Sequence, residues 1–541
     1  MKWVGRASDR ELATWLGAAL LAGAALPLLL VRQPPYQDLA GHLAAVTVVQ
    51  NPGDYPEYVF NGFLKTNGAL TAFVWLLAKL VGVTQAGRLF VLLVLGANAF
   101  VLPRFVLRFA GRARMLVASL LMPPLVHGWY ASMGMLDFHL GVACAMALLV
   151  ALDRQREKPS PGRAAAVALL GVLTWFAHQS PLMIVELLVG LHVVTRPTWS
   201  ARIEAARALV APLLPATALA VWSGVAHLHG AEAHAELGGA TEFPSVPELV
   251  YDLWAHWGYG YTELSVSSLV TMAVLAVLAL RRAREPLPFF GPWGALALLL
   301  AYLVSPYYTL GLGYAGSRFI PFVWMAALLR VPDRLSRGLT VTLAASAALY
   351  LAGMAVDDVR LAREEDELAS GAGAVPWGAK LDVFLFSPRI TSKNTWSLST
   401  SWGDYVVARH AHTWELWADS PSLALLRRGP PPPRLEPLRH RRFLDAMATR
   451  AGFCAGRRAA GLDPARCDDD WRAEWASYWR EVDPYVDHLL MWDPPADSLE
   501  QVPAVWRPSL QRGRLWIFER DPSRQEPQLH VDAPPGPGGG G

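Results

Sequence analysis

Long apolar runs recur from Leu12 to Val356, with polar residues gathered between them; from Asp357 onward the mixture of polar and apolar positions is that of water-soluble sequence. A run of about 20 apolar residues forms a helix long enough to cross a hydrocarbon core of about 30 Å. The pattern predicts eleven spans, at about 12–31, 88–108, 115–128, 135–152, 163–178, 181–195, 206–228, 264–281, 288–304, 317–331 and 338–356. Residues 69–83 are also apolar. Counting them as a span would move the arginines at Arg104–Arg114 across the membrane and invert every later loop. They read instead as a helix on the outer interface.

Basic residues set the direction, because cytoplasmic loops hold the lysines and arginines. Counting alternately from a cytoplasmic N-terminus, every inner segment is basic: Lys2 to Arg10, Arg108 to Arg114, Arg154 to Arg163, Arg196 to Arg207, Arg281 to Arg284 and Arg330 to Arg337. Outer segments between the spans hold almost none: Lys65 and Lys79 in the first, with Arg32, Arg88 and Arg318 at span edges. The first run lacks a small-residue cleavage site and is followed by Pro34-Pro35-Tyr36, so it reads as a retained helix. The expected architecture is an all-α polytopic membrane domain over 1–356, then a small α/β extracytoplasmic domain over 357–532. A disordered Pro/Gly tail over 533–541 closes it. Within the second domain, strands are expected at Leu381–Phe386, Val486–Trp492 and Arg514–Glu519. A charged helix is expected from Asp357 to Leu368, another helix at Trp471–Arg480, and a stiff connector at Pro430–Pro433.

Composition agrees. The hydrophobic fraction is 53% and the charged fraction 17%, against about 25% charged in soluble domains. The 22 tryptophans suit helix ends at a lipid interface. A net charge of +3 carries no nucleic-acid footprint. Cys144 sits inside a span; Cys454 and Cys467 fall in the outward domain, where a disulfide persists if their geometry allows it. No phosphate-cradling loop with a Walker lysine, no CxxC pair and no GxSxG elbow is present.

The polar residues at the outer ends of spans carry the candidate chemistry. Asp38 and His42 lie one helical turn apart in Tyr36-Gln37-Asp38-Leu39-Ala40-Gly41-His42. The next outer loop brings Asp137 and His139 to the same height, the third brings His178, and a later one brings Arg318. Ionisable groups at membrane depth are costly and face a cavity or a partner. Each also has a structural reading: Asp38 and Asp137 as helix caps, the histidines as packing groups, Arg318 as a headgroup anchor. The group His227, His229, Glu232, His234 and Glu236 reads as a solvated loop, because its spacing matches no metal site.

Three features together resemble the GT-C superfamily, the polytopic glycosyltransferases that use polyprenyl-phosphate sugars. They are the early acid in Gln37-Asp38-Leu39-Ala40-Gly41-His42, the second-loop Leu136-Asp137-Phe138, and a soluble domain placed last. The stretch from Asp483 to Arg520 is also similar to the closing strands of soluble domains in bacterial members of that group. The resemblance implies transfer of a sugar from a polyprenyl-phosphate donor to an envelope acceptor, at the outer face of the cytoplasmic membrane. It implies Asp38 as general base, with Asp137 the second acid of the site. Arg318, and after it Lys65, would balance the leaving phosphate, and His42, His139 and His178 would contact substrate. A divalent metal would find candidate ligands in Asp137, His139 and His42; the acidic pair and the DxD of better-known members are missing here. The sequence leaves open a non-catalytic relative that scaffolds envelope assembly or binds lipid carriers. A transporter is a third reading, although the span midplanes are apolar except for Glu186 and His192.

Overall fold

The computed structural model describes residues 7–233, 241–257, 266–309, 312–386, 398–413, 416, 423–428, 449–459, 461–482, 485–521 and 523. The histidine and glutamate group at 227–236, the 430–433 connector and the 533–541 tail lie outside the residues or side chains described.

Helices carry the N-terminal two-thirds. They are α1 Asp9–Leu30, α2 Leu39–Gln50, α3 Ala69–Val81, α4 Val83–Ser119, α5 Pro123–Val126, α6 Trp129–Ser132, α7 Leu136–Glu157, α8 Pro161–Ala177 and α9 Gln179–Val194. They continue as α10 Trp199–Ala205, α11 Leu214–Ala233, α12 Val246–Ala255, α13 Val266–Leu280, α14 Pro292–Val304, α15 Ile320–Leu328, α16 Arg337–Ala369 and α17 Gly403–Arg409. Among the described residues, five helical segments are long and apolar enough to cross a membrane: Asp9–Leu30, Val83–Ser119, Leu136–Glu157, Trp199–Ala226 and Arg337–Ala374. The fold is a polytopic, mostly helical membrane fold.

Local sequence explains the boundaries. Ser8 and Glu11 close a reciprocal capping box at the start of α1. The segment expected as a span at 115–128 is not one helix: it stops at Ser119 and resumes only as α5. Pro123-Pro124 supplies no N–H donors to continue the ladder, so the break falls there. α4 also bends at Gly111, whose φ of +84° a side chain would resist. The stretch from Met115 to Phe138 is almost wholly buried and joins the main core with α1, α7, α9 and α15.

Hydrogen bonds sort the helix ends into two groups. At one, Arg112 binds Asp9 at 2.8 Å, Arg114 binds Glu285 at 2.6 Å and Asp333 at 3.2 Å, and Arg156 binds Asp153 at 2.8 Å. Those are inner segments of the sequence reading. At the other, the loops before α2, α7, α9 and α15 bind one another, as set out below. α3, the segment read as interfacial, is 13 residues long and exposes Leu76, Leu80 and Val81 while burying Leu70 and Val74.

The described residues group into two compact units. The first is 1–366 with 389–407 and 415–429; the second is 367–388, 408–414 and 430–541. Short antiparallel pairs belong to the first unit: β1 Tyr58–Phe60 runs beside β5 Leu425–Arg427, and β2 Tyr308–Thr309 beside β3 Leu312–Gly313. The second unit holds β4 Leu381–Leu385, β6 His488–Trp492, β7 Trp506–Arg512 and β8 Leu515–Arg520, in the order β4-β6-β8-β7. β4 and β6 are parallel and the rest antiparallel. Three of these strands fall where runs of β-branched and aromatic residues between turn formers predict them. Against the sheet packs the helix Cys467–Val482, whose Trp471, Trp475, Tyr478 and Trp479 repeat at helical spacing and are all buried. Cys454 and Cys467 form a disulfide that ties this helix to Arg450–Ala459.

Candidate functional site

Asp38 occupies the N-cap position of α2: the His42 amide donates to its carbonyl at 3.1 Å. Its side chain makes no capping bond. The carboxylate is half-buried and bonds instead to the Gln37 side chain. Loss of hydration raises its pKa from 3.8 to about 7, and the Gln37 bond offsets only part of that rise. His42, one turn on, is lowered to about 4 by burial, so its imidazole is neutral at pH 7.

Two strips of backbone clamp this turn. On one side the Gln37 amide donates to Ser132 O at 3.0 Å and the Asp38 amide to Met133 O at 3.2 Å. The approach requires Gly134, whose φ is +75° and whose missing β-carbon would stand 2.7 Å from the Asp38 nitrogen. On the other side the Thr400 hydroxyl donates to Gln37 O and accepts from the Gly41 amide at 3.3 Å. A β-carbon on Gly403 would lie 2.2 Å from Ala40 O. Below, His127 Nδ1 donates to Ala24 O at 2.9 Å, so its Nε2 accepts from the Tyr36 hydroxyl at 2.8 Å.

Asp137 is buried and has a definite partner: it accepts the Leu70 amide at 2.8 Å. Leu70 is the second residue of α3, so Asp137 caps that helix from α7. His139 donates through Nε2 to Val126 O at 3.0 Å, and Asn98 donates to the His139 carbonyl at 3.1 Å. Among the described residues, no hydrogen bond shared by Asp137 or His139 with Asp38 brings these groups onto one point.

His178 caps α9, accepting the Ser180 amide through Nδ1 at 3.0 Å, with Phe138 edge-on at 5.3 Å. Beside it the Gln179 amide donates to Thr66 Oγ1 at 2.9 Å, and Gly68 N–H to Phe176 O at 3.2 Å. That turn carries Lys65, whose pKa burial lowers. Arg318 donates through Nη1 to Ser180 Oγ at 3.2 Å and through Nη2 to Gly313 O at 3.5 Å. Its Nε is buried with no partner among the described residues. The Tyr130 hydroxyl donates to Ser317 O. The contacts form a closed circuit: the 128–135 loop to Asp137, then α3, the Lys65 turn, His178, Ser180, Arg318, and back through Tyr130.

Sequence reading missed two groups. The 398–407 segment that covers Gln37 and Gly41 gives no local signal, since Thr400 and Gly403 are ordinary residues far along the chain. The other is Asp252 and His256, one turn apart at the end of α12. His256 lies 3.7 Å from the Trp129 ring and 6.1 Å from Tyr314, centroid to centroid. Burial raises Asp252 to about 6 and lowers His256 to about 3. Among the described residues, the group within metal-binding reach is Cys454, Cys467 and Asp468, and its cysteines are joined as a disulfide. Asp137, His139 and His42 do not gather in that way.

No family model matches the sequence, and no curated protein matches it. Two solved structures do resemble it: ArnT from Cupriavidus metallidurans bound to undecaprenyl phosphate, and the same protein in the apo state. Each is 12% identical with a TM-score of 0.54, over 96% of this chain and 100% or 99% of the other. That likeness, running almost end to end, shows that this chain shares the fold of those two structures.

Proposed function

We propose that the protein is a membrane glycosyltransferase that moves a sugar from a polyprenyl-phosphate donor to an envelope acceptor, with Asp38 as general base. The observation that carries this reading is the state of Asp38: a carboxylate at a helix N-cap that does not cap, is half-buried and is raised to about 7. A base works best when its pKa lies near the operating pH. Asp38 takes the proton of the acceptor hydroxyl while that oxygen bonds to the anomeric carbon. The bond from that carbon to the phosphate oxygen breaks, and the polyprenyl phosphate leaves with the electron pair. Arg318 stabilises its charge, since guanidinium pairs well with phosphate oxygens. Lys65 and His178 stand on the same circuit as Arg318 and line the donor side, with His42 beside the base. Asp137 and His139 position α3 and the 128–135 loop.

The similar ArnT structure holds undecaprenyl phosphate, which supports a lipid carrier as donor. The corresponding placement is the inner membrane, multi-pass, with 357–532 as an extracytoplasmic domain. Purified protein in nanodiscs tests the donor class: undecaprenyl phosphate raises the thermal midpoint, and Arg318→Ala reduces that rise. An unchanged midpoint in the wild type removes the lipid-carrier reading.

A further inference from the structure

The helix-end group opposite the candidate site contains a basic cavity that glycosyl transfer does not use. Its volume is about 460 Å³, and Arg114, Arg281, Arg282, Arg284, Glu285 and Leu280 line it. Four arginines therefore face one carboxylate. Arg114 is the fixed wall: it is held by Glu285 at 2.6 Å, Asp333 at 3.2 Å and the Leu329 carbonyl at 3.2 Å. The other three arginines occupy the four-residue turn after α13, and all three line the cavity.

α13 gives the cavity an apolar approach. Ala273, Val277 and Leu280 are exposed, while Thr271 and Leu275 are buried. Positions 273, 277 and 280 share one helix face, which in a membrane helix faces lipid. The stripe ends at Leu280, on the cavity wall. A ligand with an anionic head and aliphatic chains fits both parts at once: the phosphodiester among the arginines, the chains along the stripe. Basic pockets at the cytoplasmic ends of membrane helices bind such headgroups.

We infer that this cavity is a binding site for an anionic phospholipid headgroup on the arginine-rich face, separate from the donor site. Free phosphate shares the headgroup chemistry but not the chains. Full-length protein extracted from nanodiscs of mixed phosphatidylglycerol and phosphatidylethanolamine is examined by native mass spectrometry. The wild type retains phosphatidylglycerol above its share in the disc. R281Q/R282Q/R284Q, which keeps Arg114 and its ion pairs, lowers that enrichment by roughly tenfold or more. Equal retention by both proteins overturns the site. So does binding of inorganic phosphate, measured by titration in zwitterionic discs, that phosphatidylglycerol does not compete with. A circular-dichroism melt within a few degrees of wild type shows the variant folded; if it is not, the single change Arg284→Gln carries the same comparison.

Discussion

Gly134 and Asp38 meet backbone to backbone: a β-carbon on Gly134 would lie 2.7 Å from the Asp38 amide nitrogen and 2.9 Å from its β-carbon. Two loops, nearly 100 residues apart in sequence, are thereby locked at the position of the candidate base. Neither the amide nor the neighbouring backbone can rotate out of the way as a flexible side-chain end would. Gly134→Ala also strains a φ of +75°. Transfer in membranes from this variant should fall by about tenfold or more, since a shift of about 1 Å at a reacting group has that scale of effect. Wild-type rates would show that the contact does not position Asp38.

The protonation of Asp38 sets a pH dependence. Its carboxyl is raised above the ordinary value, so the basic form is lost as pH falls through about 7. The initial rate at subsaturating acceptor should therefore drop about tenfold per pH unit below that point and level off above it. A profile flat down to pH 5 would exclude a base titrating there.

Asp137 separates capping from chemistry. Asp137→Ala removes the acceptor for the Leu70 amide and should cost about 1 kcal/mol, read as a lower thermal midpoint. Asp137→Asn keeps an acceptor oxygen, so it should restore most of the midpoint together with most of the activity. An Asn variant that is stable and inactive would make this carboxylate chemically essential.

Arg318 is held by Ser180 and Gly313 in a geometry that needs the guanidinium fork. Arg318→Lys should raise the KM for the lipid-phosphate donor by on the order of tenfold, with the acceptor KM nearly unchanged. Parallel changes in both constants would point to loss of fold instead.

Helices over the apolar runs and three of the sheet strands were legible because each rests on the local residue pattern. The place of Asp38 at the start of α2 agrees with a helix that sets it one turn from His42. What Asp137 does was not legible: its partner, Leu70, lies 67 positions away, and a cap donated by another helix leaves no mark in either segment. The break at 120–122 was hidden by continuous apolarity, although Pro123-Pro124 marks its place. Thr400 and Gly403 reach the site only through tertiary folding, so nothing near them in sequence points to Gln37 or Ala40.

The most direct test of base catalysis at Asp38 is lipid and envelope-glycan mass spectrometry on cells carrying the wild type, Asp38→Asn, or no copy of the gene. The expected result is that Asp38→Asn matches the strain without the gene: the protein is present in the membrane, a polyprenyl-phosphate sugar accumulates, and one glycan product is missing. Lipid and glycan profiles equal to wild type in the Asp38→Asn strain, with the strain lacking the gene clearly different, would contradict it.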